Sequence, residues 1–302
     1  MHIPTFLEAI GRNTGPFPRH AIEHAVRQRD GIIPELLGLV ENVLDDSVRI
    51  IAEEPDYIGH VVALYLLAQF RETRAYPLMV RMARFPDGML HALVGELMAE
   101  DFGRVLASVY GNDITRITTL IESDDVNDRA RGNAIEALKL LVATSDKPRD
   151  DIMAYYKTLF EGGLERRPSY AWNTLIACAT RLHPEELYDH IVAAYHEGLV
   201  QNFFMTPDDV AKVLRIDKGK TLDRLSVASP GYIDDTTQEP GLLRRFNTPR
   251  ETRTDNAANP RRDVLSGMSP PSRAATAAAA TPNAPCPCGS GKKHKKCCGR
   301  MG

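Results

Sequence analysis

The chain is poor in cysteine and in aromatic residues, and it has no long apolar run. Only five of its 302 residues are cysteine, one is tryptophan, and aromatics make up 7%. The longest apolar stretch lies near Val61–Ala68. Because a membrane span needs about 20 apolar residues, we expect no transmembrane segment. The first residues carry no basic region followed by a long apolar run, so we also expect no signal peptide.

The motifs of the common enzyme classes are missing as well. We find no nucleophile elbow, no kinase motif set and no dinucleotide-binding loop. Two near matches to a phosphate-binding loop, Gly219-Lys220-Thr221 and the stretch from Gly289, have no glycine at the required distance upstream. The sequence therefore predicts a non-enzymatic protein.

One pattern needs a separate test, because His20, Glu23 and His24 have the His-x-x-Glu-His form of inverted zinc proteases. Histidines one helical turn apart share a face, and a glutamate beside them could activate a metal-bound water. Such a site needs a third ligand, for which Glu100 and Asp101 are distant candidates. A metal-dependent hydrolase is the alternative function, although a helix can show this pattern by chance.

Four of the five cysteines are concentrated at the end of the chain, at Cys286, Cys288, Cys297 and Cys298. Four thiolates this close in sequence can converge on one tetrahedral Zn²⁺, each about 2.3 Å from the metal. Lysines and an arginine between Lys292 and Arg300 would balance the charge of the four thiolates. We predict a structural zinc site with these four ligands. A redox relay, or His294 replacing one cysteine, are the alternatives.

The residues from Pro285 to Gly299, Pro-Cys-Pro-Cys-Gly-Ser-Gly-Lys-Lys-His-Lys-Lys-Cys-Cys-Gly, resemble the SEC-C motif. This motif is the zinc-binding tail of the preprotein translocase ATPase SecA, where the last ligand is Cys or His. The resemblance implies a small zinc knuckle, here residues 285–302, that binds protein partners. In SecA it contacts the export chaperone SecB and is linked to ribosomes and lipid surfaces. The motor of SecA has no counterpart here.

The body, residues 1–228, is predicted to be all-α. Apolar residues recur three and four positions apart, and no segment alternates as a strand would. Ala63-Leu-Tyr-Leu-Leu returns as Ala137-Leu-Lys-Leu-Leu, 74 positions later, which is two periods of 37. HEAT- and armadillo-type helix pairs have about this period and stack into solenoids. We predict a HEAT-like solenoid, with an irregular helical bundle as the alternative. Cys178 lies on an apolar helix face and is predicted to be buried.

Residues 229–284 are rich in proline and alanine, and we predict a disordered linker because few large apolar residues remain. The densest apolar cluster, Leu242-Leu243-Arg-Arg-Phe246, is either a chance cluster or a docking segment. Residues 229–302 hold 12 Lys/Arg and 6 Asp/Glu, whereas residues 1–228 hold 25 and 34. An acidic body makes DNA an improbable partner, while a basic tail suits acidic protein, ribosomal RNA or anionic lipid.

The body also resembles an uncharacterised bacterial family that joins a helical-repeat domain to a SEC-C tail, through the stretch from Ala63 to Leu78. We therefore predict a cytoplasmic adaptor with an acidic concave helical surface and a zinc tail. Its expected partners are proteins, including an acidic chaperone, the export machinery or the ribosome. Binding of RNA or the ribosome through Lys292–Arg300 is a further alternative, and it would weaken steeply with salt.

Overall fold

The computed structural model of the chain describes residues 2–54, 56–95, 97, 101–200 and 205–247. The predicted zinc knuckle, residues 285–302, lies outside these residues. The described residues form sixteen α-helices and no strand, which confirms the all-α prediction. None of the helices in these ranges is both long and apolar enough to cross a membrane.

The helices are numbered here in chain order, and short 3-10 or π turns lie between some of them. Their bounds are α1 Ile3–Gly11, α2 Arg19–Arg27, α3 Arg29–Asp45, α4 Ser47–Glu53, α5 Gly59–Gln69, α6 Tyr76–Ala83, α7 Asp87–Val94, α8 Phe102–Val109, α9 Ile114–Glu122, α10 Asp128–Ala143, α11 Arg149–Thr158, α12 Tyr170–Arg181, α13 Tyr188–His196, α14 Pro207–Leu214, α15 Lys218–Ala228 and α16 Pro240–Asn247.

A row of central helices forms the core of the body. In this row α3 packs on α5, α5 on α8, α8 on α10, and α10 on α12. The five helices of the row begin at Arg29, Gly59, Phe102, Asp128 and Tyr170, so the steps are 30, 43, 26 and 42 residues and average about 35. Helices α6, α9 and α11 lie beside the row and pack against its members. A helical solenoid is consistent with this arrangement, because each central helix packs mainly on its neighbours in the row.

Hydrogen bonds between residues 33 to 37 positions apart join neighbouring units of the body. The Tyr65 hydroxyl donates to Asp101, 36 positions on, and Tyr155 donates to the carbonyl of Thr118, 37 positions back. Arg149 donates to the carbonyl of Leu182, 33 positions on. Each unit therefore satisfies buried polar groups of the next unit, and these bonds tie neighbouring helices together in addition to apolar packing.

The core along this row is closely packed. Trp172 is fully buried, and Gly103 on α8 lies so near α10 that a Cβ atom there would be 2.7 Å from the carbonyl oxygen of Asn133. Glycine is needed at this position because the two helix backbones approach each other directly. The prediction for Cys178 is confirmed: its thiol is 3% exposed, and burial raises its pKa to about 12.

The prediction of a disordered linker from residue 229 is wrong for its first part. Residues 229–247, called the strap below, contain a short 3-10 turn and α16, and they lie against the body. Ile233 and Leu242 are 0% and 1% exposed, and Phe246 is 2% exposed. The cluster around Leu242 is thus a docking segment and not a chance cluster. The rest of the predicted linker, residues 248–284, lies outside the described residues.

Candidate protein-interaction surface

The four predicted zinc ligands lie outside the described residues, so their geometry is not part of the structure described here. What can be tested is the chemistry of the donor set. Cys286, Cys288, Cys297 and Cys298 supply four thiolates, which is the full complement of a closed structural zinc site. The donor set therefore fits zinc and leaves no open coordination position for a water.

The structure does not assemble a metal site around His20, Glu23 and His24. His20 Nδ1 is 3.6 Å from Glu23 Oε2 on the surface of α2, and the His20 side chain is 96% exposed. Asp101, one candidate for a third ligand, is buried and bonded to Tyr65 and Arg104. The other candidate, Glu100, lies outside the described residues. No group of three His, Cys, Asp or Glu side chains that could hold a metal occurs in the described ranges.

The surface that the structure does assemble is the one beneath the strap, which runs back along the row of helices. Near its start, the Tyr232 hydroxyl donates to Asp146, just after α10. The backbone N–H of Ile233 then reaches Ser108 on α8, at 3.4 Å, and that of Thr236 reaches Gln69 at the end of α5. The strap thus crosses three consecutive central helices in reverse order.

Arg71 is the first anchor of the strap. Its guanidinium donates to the carbonyl of Ile233 at 3.0 Å and to the Asp234 carboxylate at 2.6 Å, and it lies 4.4 Å from the centre of the Tyr232 ring. Arg71 follows α5 and has a positive φ of 55°. The backbone there forms a Schellman cap, because Glu72 N–H donates to Leu67 and Arg71 N–H to Ala68. Glycine is the usual residue at this position, so arginine is kept there against the backbone preference.

Arg104 on α8 is the second anchor and holds two carboxylates at once. It donates to Asp101 at 2.7 Å and to Glu239 at 2.6 Å, and it also bonds the carbonyls of Gly231 and Tyr232. All three charged side chains are largely buried, with 13%, 7% and 8% exposure for Arg104, Asp101 and Glu239. One cation therefore compensates two acids, one from the body and one from the strap.

The surroundings of Glu239 have opposing effects on its pKa. Burial raises the pKa of Glu239 above its usual range, the Arg104 guanidinium opposes that rise, and Asp101 adds to it. Burial, together with the Asp101 carboxylate, raises the pKa of Tyr65, whose hydroxyl donates to Asp101 at 2.5 Å. The tyrosine stays protonated and acts as a fixed donor. The charge of the strap at Glu239 is thus held in place mainly by Arg104.

The far end of the strap lies against the first helices. The Phe246 ring meets Phe17 edge to face, with ring centres 5.3 Å apart. The Arg245 guanidinium donates to the carbonyl of Val94, and the Arg245 carbonyl accepts from Asn13 at 2.8 Å. Arg19 on α2 donates to the carbonyl of Thr237 at 3.2 Å. The strap therefore connects α10 to the segment after α1.

The strap is held by apolar and by polar contacts. Its large buried apolar side chains are Ile233, Leu242 and Phe246, each worth about 1.5–3 kcal/mol. Arg71 and Arg104 add hydrogen bonds to three backbone carbonyls of the strap and ion pairs to two of its carboxylates.

Sequence reasoning missed Arg71 and Arg104, although a signal was available. Residues 229–302 hold only six acids, and three of them, Asp234, Asp235 and Glu239, fall within six positions. An acidic run in an otherwise basic tail indicates a basic docking surface. The surface beneath the strap presents Arg71 and Arg104, and the acidic concave surface stays a prediction.

Comparisons with known proteins place most of the chain in one family. The family described as "Protein of unknown function (DUF1186)" matches residues 1–244, and the SEC-C motif matches residues 283–300. The DUF1186 match includes most of the strap. No solved structure matches the chain.

Two chlamydial proteins and one translocase subunit are among the similar proteins. An uncharacterized protein of Chlamydia muridarum is 37% identical over 239 residues, which is 79% of this chain and 95% of that protein. A second one, from Chlamydia trachomatis, is 36% identical over 79% of this chain and 94% of its own length. The protein translocase subunit SecA of Dichelobacter nodosus is 38% identical over 65 residues, which is 18% of this chain and 7% of SecA.

Proposed function

This chain belongs to the DUF1186 family and ends in a SEC-C motif, and on that premise we propose that it is a non-enzymatic adaptor with a structural zinc tail. The body supplies one protein-binding surface, and the tail supplies another. Zinc is held by Cys286, Cys288, Cys297 and Cys298. The observation that carries the proposal is the complete four-thiol set within a zinc-binding motif.

The body supports the proposal through its architecture. A row of helices whose starts lie 26 to 43 residues apart, about 35 on average, supports the HEAT-type repeats that we propose for this body. Such arrays commonly bind proteins along an extended surface. The arginines beneath the strap already hold a peptide segment outside the row of helices, which is a contact of the kind an adaptor makes.

The partners we propose are proteins of the export machinery or the ribosome. Similarity over 65 residues to a protein translocase subunit, together with the SEC-C motif, supports this choice. A cytoplasmic location is part of the proposal, because clustered zinc thiolates persist best in a reducing compartment.

Cys288→Ser is expected to abolish zinc binding and leave the body folded. Three thiolates and a hydroxyl hold zinc far less well than four thiolates, and metal binding and folding of such a tail are one event. The measurement is bound zinc per chain, together with a thermal melt followed by circular dichroism. Cys178→Ser is the matched control, because that cysteine is buried in α12 and should leave the zinc content unchanged.

A zinc content that survives Cys288→Ser would contradict the proposed ligand set. If the body melted together with the tail, the idea of an independent zinc module would be wrong, while the ligand set itself would stand.

A further inference from the structure

We propose that the groove beneath the strap is a binding site for an acidic segment of a partner protein, and that the chain's own strap occupies it as an internal ligand. This inference rests on the proposed interaction function and specifies which chemistry the body recognises. The groove is defined by Arg19, Gln69, Arg71, Arg104 and Ser108, which bond the backbone or the acidic side chains of the strap between Gly231 and Glu239.

Most of these contacts are made to the backbone of the strap. Arg104 donates to the carbonyls of Gly231 and Tyr232, Arg71 to that of Ile233, and Arg19 to that of Thr237. Backbone carbonyls are the same in every peptide, so a segment of another sequence can accept these bonds if it follows the path of the strap, including the 3-10 turn at Thr236–Gln238. Peptide-binding domains obtain affinity from the backbone in this way and specificity from side-chain pockets.

Three side chains of the strap define the specificity. Ile233 is 0% exposed, Asp234 pairs with Arg71, and Glu239 pairs with Arg104. The chemistry that fits is an apolar residue followed directly by an acid, with a second acid five positions later. A partner segment with this pattern matches the groove in shape and in charge.

The fit of the strap itself is incomplete. The Thr236 side chain is fully buried, and its hydroxyl oxygen has no hydrogen-bond partner. A buried polar group without a partner weakens binding, and valine has the same shape without the hydroxyl. Arg71 is also kept in a backbone conformation that favours glycine, which indicates that its guanidinium has a task beyond ending α5.

An internal ligand of imperfect fit sets a minimum affinity that a competing partner segment must exceed. Because the strap is covalently attached, its effective concentration at the groove is high, and a free peptide competes poorly. A partner displaces it when its segment fits better or when it binds a second surface of the same chain. The zinc tail is the second surface that the proposed function supplies.

The test uses a fluorescent peptide of residues 229–247 and the full-length chain, with fluorescence anisotropy as the measurement. Ile233→Asp in the chain should release the strap and leave the groove open. Val227→Asp is the matched control, since Val227 precedes the strap and is 87% exposed. We expect the peptide to bind Ile233→Asp and to bind the wild type and Val227→Asp at least 30-fold more weakly.

Two further variants connect the binding to the groove. Adding Arg71→Ala to the Ile233→Asp chain should weaken peptide binding at least tenfold, because it removes contacts to Ile233 and Asp234. A peptide carrying Thr236→Val should bind about three- to tenfold more tightly than the natural one, because the unpartnered hydroxyl is gone. Neither result depends on zinc, so both measurements can be repeated with Cys288→Ser added to the chain. Peptide binding that persists there supports the groove independently of the proposed zinc site.

Several results would overturn the inference. One is a folded Ile233→Asp chain that does not bind the peptide. Another is peptide binding that Arg71→Ala leaves unchanged. If Ile233→Asp does not fold, Glu239→Lys is used instead, because it breaks the contact between the strap and Arg104. If neither variant folds, the strap is an essential part of the core and the inference is wrong. A wild-type chain that dimerises by exchanging straps would assign the groove to a second copy instead.

Discussion

Arg104→Met is expected to lower the free energy of unfolding by about 3–5 kcal/mol, which is the usual cost of removing one partner of a buried charge pair. The substitution leaves Asp101 and Glu239 buried without their cation and leaves the carbonyls of Gly231 and Tyr232 without their donor. Methionine replaces much of the volume of the side chain, so lost packing contributes little. Denaturant titration at pH 7 measures the loss.

The pH dependence of this loss identifies its cause. Burial raises the pKa of Glu239 and the Arg104 guanidinium opposes that rise, so removing the guanidinium raises the pKa of Glu239 further. Protonation then relieves the cost of burying this carboxylate as pH falls, so the difference in unfolding free energy between wild type and Arg104→Met should narrow between pH 7 and pH 4.5. Arg84→Met is the matched control: Arg84 is half-exposed and pairs with exposed Asp125, so about 1 kcal/mol or less is expected. Equal losses in the two variants would contradict the buried cluster.

The stability of the wild type is expected to fall by about 3 kcal/mol between pH 6.5 and pH 4 because of His60 alone. Burial lowers the pKa of His60 to about 4, and the Arg245 guanidinium adds to this, while the bond to the Leu93 carbonyl opposes it. The folded pKa lies below the unfolded value of 6.5. As pH falls from 6.5, His60 therefore takes up a proton in the unfolded chain but stays neutral in the folded chain. This difference favours unfolding, so the free energy of unfolding decreases across this pH range.

Comparison with His60→Gln isolates this contribution from that of the acids. Glutamine can still donate to the Leu93 carbonyl but does not titrate, so the variant should lose about 3 kcal/mol less than the wild type over the same pH range. His20→Gln makes the same change at a histidine whose side chain is 96% exposed, and it serves as the matched control for the substitution itself. Identical curves for the wild type and His60→Gln would show that His60 is protonated in the folded chain without cost.

The helices of the body and the terminal cysteine motif could be predicted, because each depends on residues that are close together in the sequence. Apolar residues three and four positions apart gave the helices of the body, and the short repeat at Ala63 and Ala137 fell on α5 and α10, two members of the central row. The spacing of the terminal cysteines is also a local pattern, and the SEC-C match confirms that motif. Neither pattern depends on how distant parts of the chain meet.

The strap could not be predicted in the same way, because its partners are far away in the sequence. Arg71 is 162 positions from Ile233, and Arg104 is 135 positions from Glu239. Locally, residues 229–247 resemble residues 248–284, for which a linker was predicted, with prolines at 230 and 240 and few apolar residues. Docking involves Arg71, just after α5, and Arg104 on α8, and both are distant from the strap in the sequence.

The zinc content per chain, measured for the full protein and for residues 1–280, tests the central claim most directly. The shorter chain keeps the whole body and the strap but ends before Cys286. We expect one equivalent of zinc in the full protein and none in residues 1–280. Metal retained by residues 1–280 would contradict the account and would direct attention to His20, Glu23 and His24 as part of a metal site in the body.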